Sequence, residues 1–263
     1  MSHRLVALDL DGTLLDGTGS VPPDTVRAIR DLSASGVVFV LATGRPFPGA
    51  EKYCSLLGLS TPAIVFNGAQ IVDSASRAIL FSRNLLRRDA ETVLAWGRRL
   101  GATMCIWSGD TLYGNKLDDK IRAYSRISGI PPRPVEDWDA LLDRGIAKIL
   151  WCGDPDWITR VQRELPPGDF REVTRCTSQP TFLEFFDSRV SKGAALRFVA
   201  ERLGIPREEI LAIGDGMNDL DMLRCAGTGV AMPHAPDALK AAARHVLPPS
   251  QGVSSALRLF FPP

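Results

Sequence analysis

The stretch Asp9-Leu10-Asp11-Gly12-Thr13-Leu14 sets two carboxylates two positions apart, directly after the apolar run Leu5-Val6-Ala7-Leu8. In an extended chain alternate side chains share one side, so both acids face the same region. Carboxylates held that close repel, which calls for a divalent cation or a shared proton. Gly12 lets the backbone turn and come close to a ligand, and Thr13 places a hydroxyl beside it. Taken alone, an Asp-Gly pair after a strand is an ordinary turn. Other groups along the chain change that reading.

Three more apolar runs, at 37–41, 62–66 and 210–213, end in small polar residues. The endings are Thr43-Gly44-Arg45, Asn67-Gly68-Ala69 and Gly214-Asp215-Gly216-Met217-Asn218-Asp219. Together the four endings supply Asp9, Asp11, Asp215 and Asp219 as anions and Thr43 and Asn67 as neutral hydrogen-bonding groups, with accessible backbone at Gly44 and Gly68. Lys192, opening a helix just before the fourth run, is a cation able to reach the same place. Carboxylates in this number suit Mg²⁺, a hard cation that takes oxygen ligands and bridges to phosphate. A hydroxyl, backbone N–H groups and a lysine suit the phosphoryl oxygens such an ion leaves uncovered. An acyl-phosphate intermediate needs a carboxylate nucleophile, a metal to cancel repulsion between two anions, and an adjacent acid/base group. Asp9 and Asp11 with Mg²⁺ meet that specification, and the residues imply phosphoryl transfer.

These groups must be positioned by a scaffold. Short continuous apolar runs read as strands buried on both faces of a parallel sheet. Between the first two, Pro22-Pro23-Asp24 starts a helix, Val26, Ile29 and Leu32 recur at helical spacing, and Gly36 stops it. Strand and helix alternate in this way through the third run, and 70–81 reads as a hairpin. From about Arg83 the texture changes: helices over 89–100, 118–128, near Asp139 and over 154–165 mix with strands at 103–107, 111–113, 146–151, 170–174 and 181–186. At Ser191, an N-cap for a helix carrying Leu196, Val199 and Leu203, the opening texture returns, with further strands at 210–213 and 229–232. The expectation is an α/β fold: a doubly wound, Rossmann-like parallel-sheet core over residues 1–82 and 188–263, with an α+β cap domain inserted over 83–187. In such a sheet the four loops converge on one crevice at the carboxyl ends of the strands.

A chain of 263 residues with formal net charge +1 offers no general attraction to nucleic acid or to anionic membranes. Its five cysteines are scattered without a CxxC pair, which fits buried thiols in a reducing compartment. With no signal peptide or membrane span in the sequence, the expectation is a cytoplasmic monomer or small homo-oligomer. All five tryptophans fall between Trp96 and Trp157 and read mostly as core of the inserted segment.

The motifs Asp-Leu-Asp-Gly-Thr-Leu, Ala-Thr-Gly-Arg, Asn-Gly-Ala, Val-Ser-Lys-Gly, Gly-Asp-Gly-Met-Asn-Asp and Gly-Val-Ala-Met occur in the order found in one family. The chain resembles the haloacid dehalogenase superfamily of phosphatases, and within it the Cof-type branch with a large cap of the C2 type inserted after the third strand. The resemblance implies Asp9 as the nucleophile toward phosphorus, with one oxygen on Mg²⁺. It implies that Asp11 protonates the leaving oxygen, then activates water, and offers its backbone carbonyl to the metal. Thr43 and the Gly44 amide would hold phosphoryl oxygens and Lys192 would neutralise them. Asp215 would ligate the metal, Asn218 and Asp219 would support metal and Lys192, Asn67 would lie near the phosphate, and Arg45 would face cap or substrate. The chain departs from the family at Arg189, where glycine is usual, and at Pro233-His234-Ala235, where Gly-Asn-Ala is usual. His234, a lone histidine after a strand, reads as structural.

The function so implied is a Mg²⁺-dependent phosphatase for a small phosphorylated metabolite, acting through a phospho-aspartate. Two rivals stand beside it: a phosphomutase, which returns the phosphoryl group to a sugar, and a binding module that uses phospho-Asp as a switch.

Overall fold

Leu5, Val6, Ala7 and Leu8 are all fully buried and form β1 (Leu5–Leu8), the strand with parallel neighbours on both edges. The fold comes from a computed structural model that describes residues 3–177 and 179–262. After β1 the chain forms α1 (Pro23–Ala34), β2 (Val38–Leu41), α2 (Phe47–Leu57), β3 (Pro62–Val65), β4 (Gln70–Asp73) and β5 (Ile79–Ser82). Proline stands at the first position of α1, where its missing N–H costs nothing.

A second series follows: α3 (Arg87–Arg99), β6 (Thr103–Ser108), β7 (Thr111–Gly114), α4 (Asp119–Ser128), β8 (Arg133–Pro134), α5 (Trp138–Arg144), β9 (Lys148–Cys152), α6 (Pro155–Glu164), β10 (Val173–Cys176) and β11 (Phe182–Asp187). The chain closes with α7 (Lys192–Leu203), β12 (Ile210–Gly214), α8 (Leu220–Cys225), β13 (Thr228–Ala231), α9 (Asp237–Ala242), β14 (His245–Val246) and α10 (Val253–Phe260).

Contacts divide the chain into two units. One holds the residues up to Gly44, Ala50–Leu80 and the chain from Ser191 onward; the other holds Arg45–Gly49 and Phe81–Val190. Arg45, assigned to the core from the sequence, counts with the second unit.

The first unit carries a parallel sheet in the order β14-β13-β12-β1-β2. The direction of winding reverses at β1, whose neighbours are β12 and β2, and ligands of open α/β sheets bind at such a point. The expected third parallel strand joins less fully. Among the described residues the bridge Ala42↔Ile64 alone pairs β3 with the end of β2, while its whole length pairs antiparallel with β4, from Pro62↔Asp73 to Val65↔Gln70.

The second unit holds a six-stranded sheet in the order β10-β11-β9-β6-β7-β8, antiparallel except between β7 and β8. Met104, Ile106, Ile149, Trp151, Leu183 and Phe185 alternate onto one face and bury the apolar stripes of α3 and α6, including Val93, Leu94, Ile158 and Val161. On the other face Trp107 donates its indole N–H to the Tyr124 hydroxyl of α4 at 2.9 Å. Trp107 and Trp151 are fully buried, one on each face, and Trp96, Trp138 and Trp157 pack partly buried against the core that holds Trp151. Among the described residues no helix is long and apolar enough to cross a membrane.

Candidate active site

β1 delivers Asp9 in extended conformation, its N–H donating to the Ile213 carbonyl of β12 at 3.0 Å. The backbone then makes one wide turn, with Leu14 N–H donating to Asp9 O at 3.3 Å and Leu15 N–H to Leu10 O at 2.9 Å. Asp9 is buried at the base of this turn and Asp11 is exposed at its tip. Gly12 closes the turn at φ +85°, and a Cβ on it would collide with the Asp215 carboxylate. Only glycine meets both demands.

The end of β12 supplies the opposite wall. Thr13 donates its hydroxyl to Asp215 Oδ1 at 3.0 Å. Asp219 folds back beneath, its Oδ2 accepting the N–H groups of Asp215 at 3.0 Å and Gly216 at 2.9 Å. Its Oδ1 accepts from Lys192 Nζ at 2.6 Å, and the same ammonium donates to Asp9 Oδ1 at 2.5 Å.

Lys192 owes its place to the start of α7, where Ser191 Oγ accepts from Ala194 N–H at 2.9 Å and caps the helix. An ammonium at a helix amino terminus opposes the helix dipole, and here two carboxylates offset that cost. Gly68, at φ +101°, presses against the Ser191 carbonyl where a Cβ would collide.

The β2 and β3 loops are stitched to each other and to this wall. Thr43 N–H donates to Ile64 O and Asn67 N–H to Thr43 O, each at 2.9 Å. Phe66 and Asn67 both take left-handed backbone, at φ 51° and 57°, unusual for a bulky residue and characteristic of strained functional loops. Asn218 Nδ2 then donates to Asn67 Oδ1 at 3.0 Å, joining the β12 loop to the β3 loop. Gly44 lies against that amide, with 3.1 Å between a Cβ at this position and Asn67 Oδ1. Thr43 and Asn67 are buried and Gly44 is half-buried. The first unit therefore gathers Asp9, Asp11, Thr43, Gly44, Asn67, Lys192, Asp215, Asn218 and Asp219 at one edge of its sheet, and Arg45 belongs with the second unit.

Charge is unbalanced in this arrangement. Asp9, Asp215 and Asp219 each bring an oxygen within 4.8 Å of the others, around the single ammonium of Lys192. Burial pushes the Asp9 carboxyl well above the usual carboxylate range; Lys192 pulls it down, and the charges of Asp219 and Asp215 add to the rise. Burial likewise raises Asp215, reinforced by Asp219 and opposed by the Thr13 hydrogen bond. Burial would lower Lys192, but the carboxylates of Asp219 and Asp9 overcome it and hold the ammonium charged.

An excess of hard oxygen donors over positive charge is the chemistry a divalent cation such as Mg²⁺ satisfies, so the residues fit that ion. Both Asp219 oxygens are already engaged, one by Lys192 and one by two backbone amides. That leaves Asp9 and Asp215 as the carboxylates best placed to hold the ion.

One further neighbour stands beside Asp215. His234, read as structural, sets Nε2 3.5 Å from Asp215 Oδ2 with its side chain 56% exposed. It follows β13 on the same carboxyl edge from which Asp9 and Asp215 project, and that shared register was the signal available in the sequence.

A family model for haloacid dehalogenase-like hydrolases matches residues 6–257. The chain is 30% identical to the 5-amino-6-(5-phospho-D-ribitylamino)uracil phosphatase of Bacillus subtilis (strain 168), across 97% of this chain and 94% of that one. It is 31% identical to the HMP-PP phosphatase of Escherichia fergusonii, across 92% and 89% respectively. Its fold is similar to the crystal structure of a haloacid dehalogenase-like hydrolase from Bacteroides thetaiotaomicron, with a TM-score of 0.88, 27% identity, and coverage of 99% of this chain and 100% of that one.

Proposed function

The chain belongs to the haloacid dehalogenase-like hydrolases and is a phosphatase of their Cof type, and from that premise we propose that it is Mg²⁺-dependent and transfers the phosphoryl group of a small metabolite onto Asp9. The observation that carries the reading is the buried ammonium of Lys192 held between Asp9 and Asp219, with Asp215 opposite. Relatives named for a phosphoribitylamino-uracil and for HMP-PP support a substrate of that size and kind.

In this reading an Asp9 carboxylate oxygen forms a bond to phosphorus as the phosphorus–oxygen bond to the leaving group breaks. Asp11, exposed at the tip of the turn, gives its proton to the departing oxygen. It then takes a proton from the water that attacks the aspartyl phosphate, which releases inorganic phosphate and restores Asp9. Lys192, the Thr43 hydroxyl and the backbone amide of Gly44 stabilise the charge on the transferring oxygens. A divalent cation held by Asp9 and Asp215, with the Asp11 carbonyl, would supply charge neutralisation between nucleophile and phosphate. Asp219 and Asn218 keep Lys192 and Asn67 in place. The core and inserted-cap division over 1–82 with 188–263 and 83–187 is part of the same proposal, with Arg45 and the cap addressing the rest of the substrate.

The test combines a panel of phosphorylated metabolites, assayed for inorganic phosphate with and without Mg²⁺, with acid-quench mass spectrometry of the enzyme during turnover. A phosphoryl group on the peptide containing Asp9 is the expected result. Turnover with no aspartyl phosphate on that peptide, or full turnover after metal removal, would overturn the proposal.

A further inference from the structure

We propose that His234 contributes an imidazole nitrogen to the cation held by Asp215, and that this donor shifts the site's preference from Mg²⁺ toward Mn²⁺. The inference rests on the reading above, in which Asp9 and Asp215 hold a divalent ion.

Backbone geometry places the ring. Met232 extends the β13 ladder by donating its N–H to Gly214 O at 3.0 Å, next to Asp215. Ala235 N–H then bonds Met232 O at 3.1 Å, a turn that throws His234 outward over the carboxyl edge of the sheet. There Nε2 comes to 3.5 Å from Asp215 Oδ2, while Oδ1 of the same carboxylate is occupied by the Thr13 hydroxyl. Two donors bound at about 2.1 Å to one octahedral ion lie about 3.0 Å apart at right angles. An exposed ring at the observed separation closes that gap with a small side-chain rotation. The imidazole also lines, with Gly12 and Thr13, a cavity of about 740 Å³ in the first unit, which leaves the ring room to rotate.

Donor chemistry then decides the consequence. The family's usual asparagine at this position offers an amide oxygen, a hard donor that suits Mg²⁺. Imidazole nitrogen is a softer donor that first-row transition ions accept more readily, whereas Mg²⁺ prefers oxygen and keeps its waters. A site of carboxylates plus one imidazole is therefore expected to rank Mn²⁺ above Mg²⁺ by more than carboxylates alone would.

The experiment uses the whole chain stripped of metal, with Mn²⁺ and Mg²⁺ as the probes, both at one buffered pH of about 8. Pulsed electron paramagnetic resonance of the Mn²⁺-loaded wild type is expected to show a directly bound ¹⁴N nucleus, and the His234→Asn variant is expected to lack it. Titration calorimetry is expected to show the Mn²⁺ to Mg²⁺ affinity ratio falling about tenfold in His234→Asn, the scale on which single site residues tune metal affinity. Because the ring is exposed, the variant retains the fold, which its unfolding temperature checks. Mn²⁺ bound without a ¹⁴N coupling, or an equal loss of affinity for both ions, would overturn the assignment of His234 while leaving the cation site standing. Failure of the wild type to bind either ion would overturn both.

Discussion

Lys192 Nζ lies 2.6 Å from Asp219 Oδ1, with neither side chain exposed to solvent. A buried ammonium survives only because its counter-charges are fixed, and Asp219 is fixed by accepting two backbone amides. The pair thus serves as an anchor for the ammonium that also reaches Asp9. Removing one partner of a buried pair typically costs about 3–5 kcal/mol, because the other charge is left uncompensated. Lys192→Met is therefore expected to lower the unfolding temperature markedly and to reduce kcat by a factor of about 10² or more. Added Mg²⁺ should recover part of the stability, since it supplies positive charge to the stranded carboxylates. Differential scanning calorimetry with and without the ion reads this directly. A variant as stable and as active as the parent would refute the anchoring role.

Asp9→Asn keeps the shape of the nucleophile and removes its charge and nucleophilic oxygen. Turnover is expected to vanish. Because one of three clustered carboxylates is neutralised, the metal-free fold is expected to hold or gain stability. The measurement pairs phosphate release with thermal unfolding of the metal-free variant. Substantial residual kcat in a folded Asn variant would place the nucleophile elsewhere.

The pH dependence of cation binding has a definite sign. Asp9 and Asp215 have carboxyl groups raised above their ordinary range by burial, so without a cation they hold protons more tightly folded than unfolded. That contribution to stability is present at low pH and is lost as pH rises through the raised values. A bound cation reverses the balance, since the ligands must be deprotonated to receive it. Mg²⁺ affinity should therefore weaken on acidification, beginning above the ordinary carboxylate value of about 3.9. Calorimetric titrations across pH 5 to 8 in buffers of differing ionisation enthalpy would count the protons released. Affinity independent of pH over that whole interval, with no proton release, would contradict the raised values.

Much of this architecture is legible in the chain. β1, β2 and β12 are continuous apolar runs closed by polar residues, and burial on both faces admits little else at those positions. Ser191 and Gly204 mark both ends of α7, because a side-chain cap and a left-handed stop are local chemistry. Local chemistry does not reveal what depends on partners far away. Lys192 and Asp9 are 183 positions apart, and only the closed sheet shows that one ammonium serves two carboxylates. The wide turn that lifts Asp11 away from Asp9 is equally hidden, since alternation in an extended chain placed the two acids on one side. The apolar run of β3 predicts a full member of the parallel sheet, but how far it runs beside β2 is a tertiary matter: Ile64 bridges Ala42 on one edge while the whole strand pairs with β4 on the other. Short elements such as α8, α9 and β14 carry too few residues for a period to register.

Gly68→Ala tests the coupling between the β3 loop and Lys192. Its left-handed φ of +101° and its approach to the Ser191 carbonyl both exclude a Cβ. Strain of this kind costs of order 1–3 kcal/mol, and relief requires the start of α7 to move. Movement there displaces Lys192, so kcat should fall by more than the loss of folded protein explains. Gly204→Ala, at the opposite end of the same helix and with open space around it, is the control for backbone strain alone. Equal kcat in the two variants would show that the loop contact does not position the lysine.

The last prediction concerns the division of labour between the two units. Asp9, Thr43, Asn67, Lys192 and Asp215 all belong to the first, which on our proposal leaves the second to recognise what the phosphate is attached to. The second unit offers exposed cations for that task, among them Arg122 and Arg126 on α4 and Arg133 on β8. A charge-assisted hydrogen bond contributes about 1.5–3 kcal/mol, so losing one to a substrate's non-reacting part should lower kcat/KM about tenfold or more. p-Nitrophenyl phosphate lacks those groups and its p-nitrophenolate departs readily, so its hydrolysis depends on the phosphate machinery alone. Alanine variants at the three arginines are expected to reorder kcat/KM across a metabolite panel while leaving p-nitrophenyl phosphate within about twofold. Thr43→Ala, by contrast, should depress every ester alike, because the transferring group is common to all of them. If the arginine variants lowered all esters by one shared factor, the second unit would be contributing to the phosphoryl transfer step, and specificity would have to be sought in the first.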